Sequence, residues 1–142
     1  TAEWAVRAGF RFIQFFDVSE EDAACVDAYL KSLQAVPSPY LVNGELSAKA
    51  REGKKVFEKL KCGDCHSGTY YTDRKMHRIG EDVEFEKGWD TPTLREVWRT
   101  APYLFDGRAA TMQEVFSIHR HGIDRKVSRK EIEALTEFVN SL

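Results

Sequence analysis

The sequence predicts an all-α fold, because apolar residues recur at helical spacing in several capped stretches and no stretch shows the two-residue alternation of a half-buried strand. The first thirty-odd residues read as one amphipathic helix pair. Its second member starts at Ser19 with Asp22 three residues on, a capping-box-like opening, and Ala23, Val26, Tyr29, Leu30 and Leu33 form its apolar stripe. Val36-Pro37-Ser38-Pro39-Tyr40-Leu41-Val42-Asn43-Gly44 follows, and its two prolines end the preceding helix and mark a linker. Ser47 opens the next helix, with Ala50, Gly53, Val56, Phe57 and Leu60 on one face, and delivers the chain to Cys62. Residues 67–88 are polar and rich in Tyr, Asp and Gly, which predicts loop with a short hairpin. Ser128 with Glu131 opens the last helix, directing Ile132, Leu135, Phe138, Val139 and Leu142 inward. Gly53, Phe57 and Phe138 are the expected crossing of that helix with the Ser47 helix, a missing side chain allowing close approach and aromatic rings filling the seam.

Length and charge exclude several functions. At 142 residues the chain holds one full domain and part of another, and its net charge of −2 with scattered basic residues leaves no nucleic-acid footprint. No run reaches the length of a membrane span.

The chemistry is concentrated in Cys62-Gly63-Asp64-Cys65-His66. Cys-x-x-Cys-His is the attachment sequence of a c-type haem: each sulfur adds to one porphyrin vinyl group, and the adjacent histidine becomes the proximal iron ligand. A zinc site would need two more closely spaced ligands, and the chain has only three cysteines and four scattered histidines. A reducing dithiol would sit after a buried strand, and no Val/Ile-rich strand precedes Lys61. The third thiol, Cys25, lies between Ala24 and Val26 in an apolar helical pattern and is expected to be a buried, inert side chain.

The two ends of the chain resemble each other. Thr1-Ala2-Glu3-Trp4-Ala5-Val6 aligns with Thr111-Met112-Gln113-Glu114-Val115-Phe116, Val18-Ser19-Glu20-Glu21 with Val127-Ser128-Arg129-Lys130, and, one single-residue gap having been introduced, Tyr29-Leu30-Lys31-Ser32-Leu33 with Phe138-Val139-Asn140-Ser141-Leu142. Such similarity predicts tandem domains. Residues 1–36 are then the closing helices of a preceding domain of the same kind, residues 37–46 a linker, and residues 47–142 a cytochrome c-like helical domain around one covalent haem. Residues 1–36 contain no histidine, and Ala8-Gly9 stand where the second copy has His119, so any haem of that first domain is left open or ligated from elsewhere.

Asp90-Thr91-Pro92-Thr93-Leu94-Arg95-Glu96-Val97 and Thr100-Ala101-Pro102-Tyr103-Leu104-Phe105-Asp106-Gly107, between the haem motif and Ala110-Thr111-Met112-Gln113-Glu114-Val115, give the chain its family resemblance. Residues 47–142 are similar to the C-terminal haem domain of bacterial dihaem cytochrome c peroxidases and MauG-type proteins, which carry Thr-Pro-x-Leu-Arg and then Pro-Tyr-x-His-Asp-Gly. The tandem cytochrome domains of surface β-propeller proteins also look alike, sharing the Pro37-Ser38-Pro39 linker style. Phe105 departs from the family histidine and removes any proton-handling role at that place. The resemblance implies a distal ligand fourteen residues past that position, usually methionine, which here is His119; an imidazole instead of a thioether lowers the reduction potential. His121 is the alternative distal ligand if Arg120 marks a helix end, and Met76, His77, Met112 or an open site remain as further alternatives. Arg95 and Arg99 are candidates to pair with haem propionates, and the many Trp and Tyr residues are read as packing before electron relays.

Two functions follow. The leading one is single-electron transfer by a haem held between His66 and His119, as part of a larger multihaem redox protein and with an upstream haem domain or another redox protein as partner. The other is a peroxidase or oxidase with a reactive haem. Haem is attached to such pentapeptides after export, so the resemblance to c-type cytochromes implies a periplasmic or extracellular location, with a signal sequence upstream.

Overall fold

A computed structural model describes residues 1–79 and 86–142. Part of the predicted 67–88 loop therefore lies outside the described residues. The described chain is mostly helical, with five α-helices and two hairpins of two-residue strands, and it divides into Thr1–Ala35 and Val36–Leu142.

The first unit is a helix pair, α1 (Ala2–Phe12) and α2 (Glu20–Ser32). Thr1 and Ser19 cap them, their hydroxyl oxygens accepting from the Trp4 and Asp22 amides, which satisfies donors that a helix start leaves orphaned. Arg7 joins the pair, donating to Glu20 and, at 2.9 Å, to the buried Asp27. Little apolar surface is covered: α1 buries no residue, and of the expected α2 stripe only Ala23 is fully buried. Cys25 is exposed, which corrects the expectation of a buried thiol. Tyr29, Leu30 and Leu33 of that stripe are exposed, because α2 has only α1 beside it in this unit.

In the second unit β1 (Leu41–Val42) pairs with β2 (Glu45–Leu46) through Asn43-Gly44, both at positive φ as a tight hairpin turn requires. The segment read as a linker is therefore seated on its own unit. Ser38 Oγ, buried, donates to the Asn140 carbonyl at 2.5 Å, and the Val36 amide donates to Glu96.

Two long helices form the core of this unit, α3 (Ala48–Lys59) and α5 (Arg129–Asn140), with α4 (Met112–Ser117) packed on α5. They cross where the sequence predicted. A Cβ built on Gly53 would meet the Ala134 carbonyl oxygen at 1.9 Å, so only glycine permits this approach. Phe57 and Phe138 pack edge to face beside it with centroids 5.4 Å apart, and Tyr71 joins both. Ser128 and Glu131 complete the predicted capping box of α5, and Lys59 at the end of α3 bonds Glu131 at 2.6 Å. The haem-motif loop returns through the expected short hairpin, β3 (Met76–His77) against β4 (Trp89–Asp90).

Candidate functional site

Lys61 ends α3 in the left-handed region at φ 58°, turning the chain into a single 3-10 turn, Cys62–Asp64. The His66 amide donates to the Cys62 carbonyl, and the Asp73 amide to the Cys65 carbonyl, each at 2.9 Å. These bonds fold the pentapeptide onto the loop that follows. Cys62 and Cys65 are both free, half-buried thiols. Burial pushes the Cys62 thiol up to about 11 and raises Cys65 as well, the opposite of the depression a reducing dithiol needs.

His66 is oriented by the backbone. Its Nδ1 lies 3.1 Å from the Tyr71 carbonyl, with the Pro92 carbonyl also facing the ring. A carbonyl only accepts, so Nδ1 carries the proton and Nε2 keeps its lone pair for a metal. Pro92 thus ties the Thr-Pro-x-Leu-Arg stretch to the site. Burial lowers the pKa of His66 and keeps the ring in the neutral form that ligates.

The ring facing His66 is His121. Their centroids are 6.3 Å apart with planes inclined by 53°. An imidazole nitrogen sits about 2.0–2.1 Å from a first-row metal and roughly 1.2 Å from its own ring centre, so two imidazoles gripping one metal from opposite sides have centres about 6.4 Å apart. Burial and the neighbouring His66 lower the pKa of His121, so this ring too is held neutral.

The chain reaches this position through a helix end. Thr111 caps α4, the helix closes at Ile118, and Arg120 takes a left-handed conformation at φ 48°. The Arg120 guanidinium donates to the carbonyls of Ile123 and Arg125, and buried Ile123 anchors the turn from below. That turn is the condition under which His121 was the alternative ligand. His119, two residues earlier, is half-buried, and its ring makes no ring contact, hydrogen bond or ion pair among the described residues.

The remaining candidates are placed as follows. Met112 is buried in the core, and Met76 is half exposed in β3. His77 Nε2 is held 2.7 Å from Asp73 Oδ2. Arg95 is exposed and its guanidinium makes no ion pair among the described residues, whereas Arg99 pairs with Glu96. Phe105, where the family has histidine, stacks on Trp89 at 4.0 Å and 18°, with the Arg108 guanidinium 4.8 Å over its ring. The sequence marks Arg120 only as a helix end, and the structure adds that its backbone turns left-handed and its guanidinium holds the turn.

The donor set fits a c-type haem: two free thiols at the attachment spacing, one imidazole oriented through Nδ1, and a second imidazole across a gap of one metal ion. Among the described residues no three His, Cys, Asp or Glu side chains converge on a common point. No helix among them is long and apolar enough to cross a membrane.

No family model matches the chain. Among curated proteins it is similar to cytochrome c peroxidase Ccp of Escherichia coli, 24% identical over 119 residues, covering 68% of this chain and 26% of the relative. It is also similar to cytochrome c551 peroxidase of Nitrosomonas europaea, 24% identical over 64% of this chain and 33% of the relative. MauG of Methylorubrum extorquens is 26% identical over 58% of this chain and 28% of the relative. The chain thus spans about a quarter to a third of these proteins. Among solved structures, a hydrazine synthase chain of Kuenenia stuttgartiensis superposes with a TM-score of 0.72 at 20% identity, over 97% of this chain and 60% of that one, a likeness of fold. The resemblance to cytochrome c peroxidases and MauG holds at the level of sequence.

Proposed function

We propose that this chain, similar to cytochrome c peroxidases and MauG, carries one covalent haem c and passes single electrons within a larger multihaem redox protein. Cys62 and Cys65 are the thioether attachment points, His66 is the proximal ligand, and His121 is the distal ligand in preference to His119. The observation that carries this reading is the 6.3 Å spacing of the His66 and His121 rings. The haem, when bound, supplies a one-electron couple. The chain's own residues hold the rest in place: the Tyr71 and Pro92 carbonyls fix the tautomer and plane of His66, and the Arg120 turn fixes His121. Covalent attachment retains the cofactor in a domain whose core is small. The partner is an upstream haem domain or another redox protein, and the location is the periplasmic or extracellular side of a bacterial membrane.

With His66 and His121 both holding the iron, no position would stay open to a small ligand, which favours electron transfer over reaction. The names of the relatives favour a second reading, a peroxidase or oxidase domain with a reactive haem. Phe105 and the available His121 weigh against it, because the one removes the family imidazole and the other closes the distal face. Mass and visible absorption of the purified protein separate the readings. Expected are one added haem and sharp low-spin bands without a methionine charge-transfer feature, unaltered by cyanide. A high-spin ferric spectrum that cyanide shifts would support the reactive haem, and a colourless protein of apo mass would overturn both.

A further inference from the structure

On α5 the residues Glu133, Thr136, Glu137 and Asn140 recur at three- and four-residue spacing and share one face, opposite the stripe of Leu135, Phe138 and Val139 that packs into the core. A polar face of this kind is ordinarily solvated. Here it forms one wall of a cavity of about 570 Å³ in the second unit, which Tyr40, Trp98 and Tyr103 and, from α4, Met112 and Glu114 also line. The cavity is separate from the haem site, since Cys62, Cys65, His66 and His121 do not line it.

One polar group in this wall is buried and unmet. Asn140 is only 7% exposed, and although its backbone carbonyl accepts from Ser38, its side-chain amide makes no hydrogen bond among the described residues and opens on the cavity. An amide so placed has given up most of its water without gaining a protein partner, which points to a group that arrives from outside the chain. The charges around it give the sign of that group. Three carboxylates, Glu114, Glu133 and Glu137, line the cavity with one ammonium, Lys49. Lys49 lies 3.9 Å from Glu133, which Arg129 also engages at 2.9 Å. Glu137 has only the Ser47 hydroxyl, at 3.3 Å, and Glu114 accepts from the Ala110 amide at 2.7 Å. Neither has a cation of its own among the described residues.

We infer that this cavity is a binding site for a small planar organic cation, an amidinium or a guanidinium. A planar cation answers each feature of the wall: it donates two parallel N–H bonds to a carboxylate and a further one to the Asn140 amide oxygen, and it lays a flat face on the aromatic carbon that Tyr40, Trp98 and Tyr103 supply. A compact ammonium makes neither the parallel pair nor the flat contact. An anion would enter among carboxylates, and an uncharged body would strip water from Glu114 and Glu137 without replacing it.

Benzamidine is the probe, set against benzamide, which has the same shape without the charge. In nitrogen–proton NMR spectra of the reduced, haem-loaded protein, benzamidine is expected to shift the Asn140 side-chain amide and the Trp98 indole N–H, and to bind about 10-fold tighter than benzamide. Glu137→Gln and, separately, Glu114→Gln should each weaken benzamidine by about 3- to 10-fold while leaving benzamide and the haem absorption unchanged. Asn140→Leu, which keeps the volume of the side chain, should also weaken benzamidine. Equal affinity for the two probes would overturn the site, as would benzamidine binding that neither glutamine variant weakens, or shifts confined to residues that do not line the cavity. Tighter binding of benzoate than of benzamidine would overturn it too, by reversing the sign of the charge the cavity takes.

Discussion

His121 and His119 differ by two residues and by everything that decides ligation. His121 follows the left-handed Arg120 and its ring looks across at His66. His119 lies just past the end of α4, its amide bonded to the Glu114 carbonyl. His121→Ala is therefore expected to convert the low-spin spectrum to a high-spin one that binds cyanide, and His119→Ala to leave it low-spin, as read by absorption and electron paramagnetic resonance. The reverse pattern would return the distal position to His119. Arg120→Ala removes the two carbonyl bonds that hold the turn, so a mixture of high-spin and low-spin iron is the expected result.

Among the elements, the crossing of α3 and α5 carries the second unit. Gly53→Ala places a carbon against backbone that has no rotamer to yield, and overpacking of this kind costs about 3 kcal/mol. Chemical denaturation of the haem-loaded protein should show that loss without a change in the native spectrum. The same two helices are joined at their ends by Lys59 and Glu131. The Lys59 ammonium and then the Ser128 amide hold the Glu131 carboxylate down at about 2, against an ordinary value of 4.5. A folded-state pKa below the unfolded one adds stability that is complete above about pH 4.5 and is lost as pH falls toward 2. Thermal unfolding across that window should therefore weaken with acid, and Glu131→Gln, which keeps a capping side chain, should flatten the dependence.

On the scale of the whole molecule, the division after Ala35 is testable. Residues 32–36 are exposed, whereas Ser38 is buried and bonded to Asn140. Limited proteolysis with chymotrypsin is expected to cut after the exposed Leu33 and release a fragment of the second unit that keeps the intact absorption spectrum. Loss of the haem spectrum on that single cut would show that the second unit does not hold its site alone.

Local patterns carried most of the second unit. Capping residues, the 3.6-residue periodicity of α3 and α5 and the glycine at their crossing were all legible, because each concerns groups a few residues apart or a stripe that must be buried. The Asn43-Gly44 hairpin was legible too, but the neighbouring prolines masked it as a linker. Other outcomes were fixed only by tertiary structure. A conformational reversal at one residue, Arg120, decides which histidine looks toward His66, and a count along an aligned helix does not contain that reversal. The presence or absence of a covering helix decides whether an apolar stripe is core or surface, so Phe138 is buried and Tyr29 exposed although the two helices read alike. Periodicity specifies that a face is to be covered, and only a packed neighbour supplies the atoms that exclude water from it.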